Sequence, residues 1–277
     1  MKKKRLIPVI LLKNGWVVQS KSFRYYQNLG NPTQIVKRLS EWASDEIIYL
    51  DITRDEKYDL RRDDLAGPNR ADIFQILTDV SKMCFMPVTV GGNIRSLKDI
   101  EKRLSLGADK VCVNTEPLRN KAFIKNAAKE FGSQCIVVSI DAKKIDGVQT
   151  VFADGGRERT PHAAEDWAAI AEAEGAGEIL LNSIDRDGMK TGYDLELVGS
   201  VAERVKIPVI ACGGVGEWAH FAEVFQKTRA DAAAAANIFH YRDQSVYLAK
   251  KYLYDQRCSV RSPELLLIHE GALCPKP

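Results

Sequence analysis

The feature of this 277-residue chain that most limits its fold is an internal repeat of strand-like runs. Short β-branched runs begin at Arg5 (RLIPVILL), Glu46 (EIIYLDI), Pro87 (PVTV) and Lys110 (KVCV). Roughly 120–130 residues later they are matched by runs at Cys135 (CIVVSID), Glu178 (EILLNSI), Pro208 (PVIAC) and Asp231 (DAAAAA). The copies agree in letters as well as spacing: PVTVGGN parallels PVIACGG, and GAD at Gly107 parallels RAD at Arg229. A helix-period segment follows each run, over 32–43 with Asn31 as N-cap, 70–82, 96–105, 117–130, 163–173, 194–205, 217–228 and 243–254. Strand and helix alternating in this way predict an α/β chain folded as one (β/α)8 TIM barrel of two half-barrel repeats. Residues 1–261 form the barrel and 262–277 a C-terminal tail.

Composition narrows the function classes. Lys and Arg number 40 against 37 Asp and Glu, so a net charge of +3 gives no case for a nucleic-acid or membrane partner. No run reaches the ~20 apolar residues a membrane helix needs. The opening MKKKR-LIPVILL resembles a secretion signal only superficially, because Pro8 interrupts it and no small-residue cleavage site follows, so it reads as a buried strand. Cys84, Cys112, Cys135, Cys212, Cys258 and Cys274 include no C-x-x-C pair and read as reduced thiols of a cytoplasmic protein. The four histidines lack ligand spacing, so neither a metal nor a cofactor is expected.

Barrels keep their chemistry at the C-terminal ends of the strands, and there the residues become informative. Three connections at that end are long: 13–30 as an aromatic lid, 55–70 as a charged insertion, and 144–160 as a hairpin. Gly92-Asn93 after the third strand and Gly213-Gly214 after the seventh offer bare backbone N–H groups to a phosphate. Such glycines serve simple tight turns about as often. Duplication favours phosphate, because a small polar end follows one strand later in each half, Asn114-Thr115 and Ala236-Asn237. Two grips across one mouth imply a long phosphorylated small molecule with a phosphate at each end. Of the strand-end carboxylates, Asp51 reads as a loop brace and Asp141 as a general acid or base. Asp187-Gly188 fits a turn cap and a ligand contact equally. Overlaying the halves puts Leu11 where the second half has Asp141. At the opposite end Arg5, Glu46, Lys110 and Glu178 open four strands, and spacing alone favours solvated strand starts over a closed ring.

The motifs RLIPVILLKNGWVV, EIIYLDITRD, PVTVGGNIRS, GADKVCVNT, GAGEILLNSIDRDGMKTGYD and ANIFH, in order from about Lys4 to about Arg261, resemble the cyclase subunit of imidazole glycerol phosphate synthase. That family is a barrel that takes ammonia from a glutaminase docked on its bottom face and closes an imidazole ring on a ribotide held by two phosphates. The resemblance implies that Arg5, Glu46, Lys110 and Glu178 form an ammonia gate, that Asp109 faces the glutaminase in a heterodimer, and that Asp141 is one of two catalytic aspartates. The other aspartate position holds Leu11, and Gln19 stands for a lysine, Asn93 for a glycine, Asn182 and Met189 for threonines. The ammonia side is thus intact and the substrate side altered. That implies a divergent paralogue of the type serving a sugar amidotransferase in surface polysaccharide (lipopolysaccharide) synthesis. The alternatives are a working histidine-pathway cyclase and a scaffold that only activates its glutaminase. A two-phosphate sugar isomerase is disfavoured, because Leu11 removes one of the paired acid/base groups it needs.

Overall fold

The computed structural model describes residues 3–55, 57–59, 70–240 and 246–264. Twelve strands run in chain order among them: β1 (Arg5–Lys13), β2 (Trp16–Lys21), β3 (Tyr25–Gly30), β4 (Ile47–Asp51), β5 (Val88–Gly91) and β6 (Lys110–Val113). Then follow β7 (Ile136–Ile145), β8 (Val148–Ala153), β9 (Glu158–Ala163), β10 (Glu178–Ser183), β11 (Val209–Cys212) and β12 (Ala232–Ala235). Strands β1, β4, β5, β6, β7, β10, β11 and β12 pair in parallel in that order, and β12 returns to β1, so the sheet closes into a barrel. The eight predicted strand starts fall within one residue of the observed ones.

Helices between strands form where side-chain caps and an apolar stripe coincide. Asn31 accepts from the Thr33 amide ahead of Pro32–Glu41, which buries Ile35, Val36 and Leu39 on one face. Ser96 and Asp99 make a reciprocal capping box on Leu97–Ser105. The helix expected over 117–130 is instead two, Thr115–Arg119 and Ala122–Phe131, because Asn120 turns extended at φ −141 and ψ 95. The expected 55–70 insertion and the tail beyond Glu264 lie largely outside the described residues.

The halves repeat in three dimensions. The first barrel strand of each half runs past the rim into an antiparallel partner, with Leu11 opposite Val18 and Asp141 opposite Phe152. The segment 13–30, expected only as a lid loop, is therefore the hairpin β2–β3. The 144–160 hairpin appears as β7–β8 and gains β9. Strand side chains alternate between faces. One face packs on the helices. The other fills the barrel with Ile7, Val9, Ile48, Cys112, Val137, Leu180, Ile210, Ala232 and Ala234, capped toward the mouth by Leu11, Leu50, Cys212 and Ala236. No described helix is long and apolar enough to cross a membrane.

Candidate active site and barrel gate

Period-two alternation places Arg5, Glu46, Lys110 and Glu178 on the same interior faces as that apolar column, at its N-terminal end. The solvated-end reading of these residues fails. Arg5 reaches Glu46 at 2.9 Å and Glu178 at 2.8 Å, and Lys110 reaches Glu46 at 3.0 Å and Glu178 at 2.9 Å, so each cation holds both carboxylates. The Thr89 hydroxyl donates to Glu46 at 2.8 Å, and the Glu46 side chain is only 3% exposed. Burial pulls the Arg5 guanidinium down, but Glu178 and Glu46 outweigh it and hold the group above its usual value. Beside the ring, exposed Asp109 accepts from the Val88 amide at 2.8 Å.

At the mouth a cavity of about 510 Å³ opens between the strand ends and the two hairpins. Asp141 lines it, held by the side-chain amides of Asn114 at 3.0 Å and Asn182 at 3.4 Å. Burial raises its carboxyl to about 7, the Asn182 bond opposing and Asp187 adding to the shift. A carboxyl in that range is matched to proton transfer near neutrality. Leu11, three residues from the hairpin turn in the same cavity, presents only methyl groups. Asn114, a phosphate candidate by sequence, lines the cavity too, and its amide, which also donates to the Ser139 carbonyl at 3.2 Å, clamps Asp141. Asn182 was read only as a departure from a family pattern. Its clamp on Asp141 follows from the β7–β10 register, which sets the two residues opposite each other and which no local motif announces.

The glycine turns are sterically forced. Gly92 has φ +104 and a Cβ there would run into the Asp51 carbonyl, while Gly213 and Gly214 have φ +91 and +104. Asn93 itself sits at φ 51. Its side-chain amide donates to the Thr53 carbonyl at 2.9 Å, and that of Asn237 to the Ser20 carbonyl at 2.9 Å, so both brace loops at the cavity rim. Gly92, Asn93, Thr115, Gly188, Gly213, Gly214, Ala236 and Asn237 all line the one cavity. Buried Arg103, missed in the sequence, donates to the Gly92 carbonyl at 2.7 Å and fixes the first turn.

Of the remaining carboxylates, Asp51 is the loop brace expected, accepting from the Thr53 amide at 3.0 Å and the Tyr58 hydroxyl at 2.7 Å. Asp187 resolves toward neither of its two expected roles alone. Its Oδ2 accepts from the Ser20 hydroxyl at 2.8 Å and the Phe23 amide at 3.2 Å, and its carbonyl from the Ser22 amide at 3.0 Å, so it straps the lid hairpin over the cavity it also lines. Sequence reasoning also missed the rim arginines Arg54, Arg95, Arg119 and Arg157. Arg54 and Arg95 make no ion pair among the described residues and give the mouth beside Gly92 an anion-attracting field.

The family described as Histidine biosynthesis protein matches residues 5–245. The imidazole glycerol phosphate synthase subunit HisF of Bacillus cereus (strain G9842) is 43% identical over 259 residues, covering 93% of this chain and 98% of its own. That of Clostridium botulinum (strain Okra / Type B1) is 42% identical over 261 residues with the same coverage. A closed eight-stranded barrel and similarity along almost its whole length together place the chain in the HisF-like family of imidazole glycerol phosphate synthase cyclase subunits.

Proposed function

We propose that this barrel is the ammonia-receiving subunit of a glutamine amidotransferase complex and that it does not close the histidine-pathway imidazole ring. A cytoplasmic glutaminase docks at the gate end, ammonia passes the ion-pair ring as the neutral molecule, and it reaches an acceptor at the mouth. The acceptor we favour is a sugar amidotransferase of surface polysaccharide (lipopolysaccharide) synthesis. The observation that carries this reading is Leu11, which occupies the interior place that the half-barrel repeat pairs with Asp141. Paired acid/base chemistry thereby loses one member, and such a loss costs ~10²–10⁴-fold in rate. The ring supports the ammonia role, since two cations and two carboxylates sum to no net charge at the end of an apolar column. The column is lined largely by apolar side chains, and neutral ammonia avoids the cost of burying a charge there.

The glycine turns and Arg54 with Arg95 then serve an anionic ligand, and the two phosphate grips are retained as part of the proposal. A second reading, a histidine-pathway cyclase with rerouted proton transfer, draws on Asp141, whose carboxyl at about 7 is still suited to act as base. The readings separate in one assay. Purified chain is supplied with ammonium and the phosphoribosyl-formimino aminoimidazole ribotide, and ring closure is followed beside the Bacillus cereus HisF subunit. We expect a rate at least ~10²-fold lower for this chain. Comparable turnover overturns the proposal in favour of the cyclase.

A further inference from the structure

Phe85 is 83% exposed, the most exposed of the large hydrophobic side chains among the described residues. Single exposed apolar residues are common and mean little alone. Its mounting sets this one apart. The segment between the helix Ile73–Ser81 and β5 is braced by the Met83 and Cys84 amides on the Val80 carbonyl, both at 2.9 Å, and by the Cys84 thiol on the Met86 carbonyl at 3.4 Å. The aromatic ring thus stands on a held turn with half-buried Met83 and Met86 beside it.

The turn is wired to the gate. The Pro87 carbonyl accepts from the Ile47 amide at 3.0 Å, one residue from Glu46. Val88 exchanges two 2.8 Å hydrogen bonds with Asp109, the residue before Lys110. Phe85 therefore lies on the connection that enters β5 at the gate end, two residues before Pro87 and three before the Val88 that holds exposed Asp109, on the face where the proposed function seats a glutaminase. A partner that hands ammonia through the ring must exclude water around it, and rigid aromatic anchors ringed by polar contacts do this at interfaces. A second copy of this chain fits the face worse, because it would set gate against gate and bring acidic Asp109 to a surface carrying the same carboxylate.

We propose that Phe85 is the residue by which the gate face selects its glutaminase, entering an apolar socket on that subunit beside a cation that pairs with Asp109. This rests on the ammonia-transfer reading and adds to it the identity of the selecting contact. The full chain and its Phe85→Ala variant are titrated calorimetrically against the glutaminase subunit from this chain's own source organism and against the glutaminase subunit of the Bacillus cereus synthase. Because Phe85 packs on little, the variant should keep the thermal midpoint of the parent. Its affinity for the chain's own glutaminase should fall at least tenfold, the scale of an interface hot spot, with no comparable loss for the other subunit. Equal affinity of parent and variant for the chain's own glutaminase overturns the proposal alone. A fall of the same size for both glutaminases removes selection and overturns it too, as does a parent homodimer that Phe85→Ala dissolves. If the parent binds neither glutaminase, the ammonia-transfer reading falls and this proposal with it.

Discussion

At the scale of single residues, Asp141 shows how a functional carboxyl is held against its own preference. Its site raises the carboxyl from 3.8 to about 7, chiefly by burial. Below pH ~4 it is protonated in both the folded and the unfolded chain and contributes nothing to the pH dependence. Between ~4 and 7 the folded chain keeps a proton that the unfolded chain has released, so stability falls as pH rises through that window and stays lower above it. The full shift corresponds to at most roughly 4 kcal/mol, lessened by water in the open cavity. Asp141→Asn removes the ionisation. We expect the variant to match the parent at pH 4 and to exceed its stability by about 1–3 kcal/mol at pH 8, read from urea unfolding at the two pH values. Equal differences at both would show that Asp141 ionises normally. Leu11 complements this residue by what it lacks, since a side chain without a titratable group cannot share the proton.

Among the elements, the lid hairpin carries the clearest strain. Its turn residues Ser22 and Phe23 lie at φ 52 and 56, a left-handed pair that hairpins usually assign to Asn-Gly. Asp187 compensates with three hydrogen bonds to the turn and its approach. Asp187→Ala should loosen the strap, and exposed Lys21 and Arg24 flank the turn as cleavage points. Trypsin should cut there about tenfold faster or more in the variant, by mass spectrometry of timed digests, because removing hydrogen bonds to a carboxylate costs roughly 1.5–3 kcal/mol each. Unchanged cleavage would mean that the hairpin holds without Asp187. The same turn explains why the hairpin was not legible in advance: Ser-Phe carries none of the turn chemistry that Asp146-Gly147 displays between β7 and β8. Strands were legible because β-branched runs recur at a fixed offset. The strap, the Asn114 and Asn182 clamp and the Arg103 brace were not, because each joins residues far apart in sequence whose meeting depends on barrel closure.

Across the whole molecule, the gate end and the mouth are joined by the interior faces of the same strands, with an apolar column between them. Arg5 and Lys110 facing Glu46 and Glu178 form a ring without net charge, and its side chains are between 3% and 23% exposed. Removing one cation leaves two carboxylates to share Arg5, and breaking a buried pair from one side costs roughly 3–5 kcal/mol where burial is complete. Water then enters to solvate the freed carboxylate, and an aqueous path at the ring lets ammonia protonate and leave. Lys110→Ala should therefore leave glutamine hydrolysis by the bound glutaminase largely running while lowering the ratio of aminated product to glutamate released several-fold. That ratio is measured with glutaminase, barrel and sugar amidotransferase together, for parent and variant. Lys110→Met, which fills similar volume without charge, separates leakage from simple loss of packing: it should uncouple like alanine if the charge seals the ring. An unchanged ratio in both variants would mean that ammonia does not travel through this barrel, leaving an activating scaffold as its role.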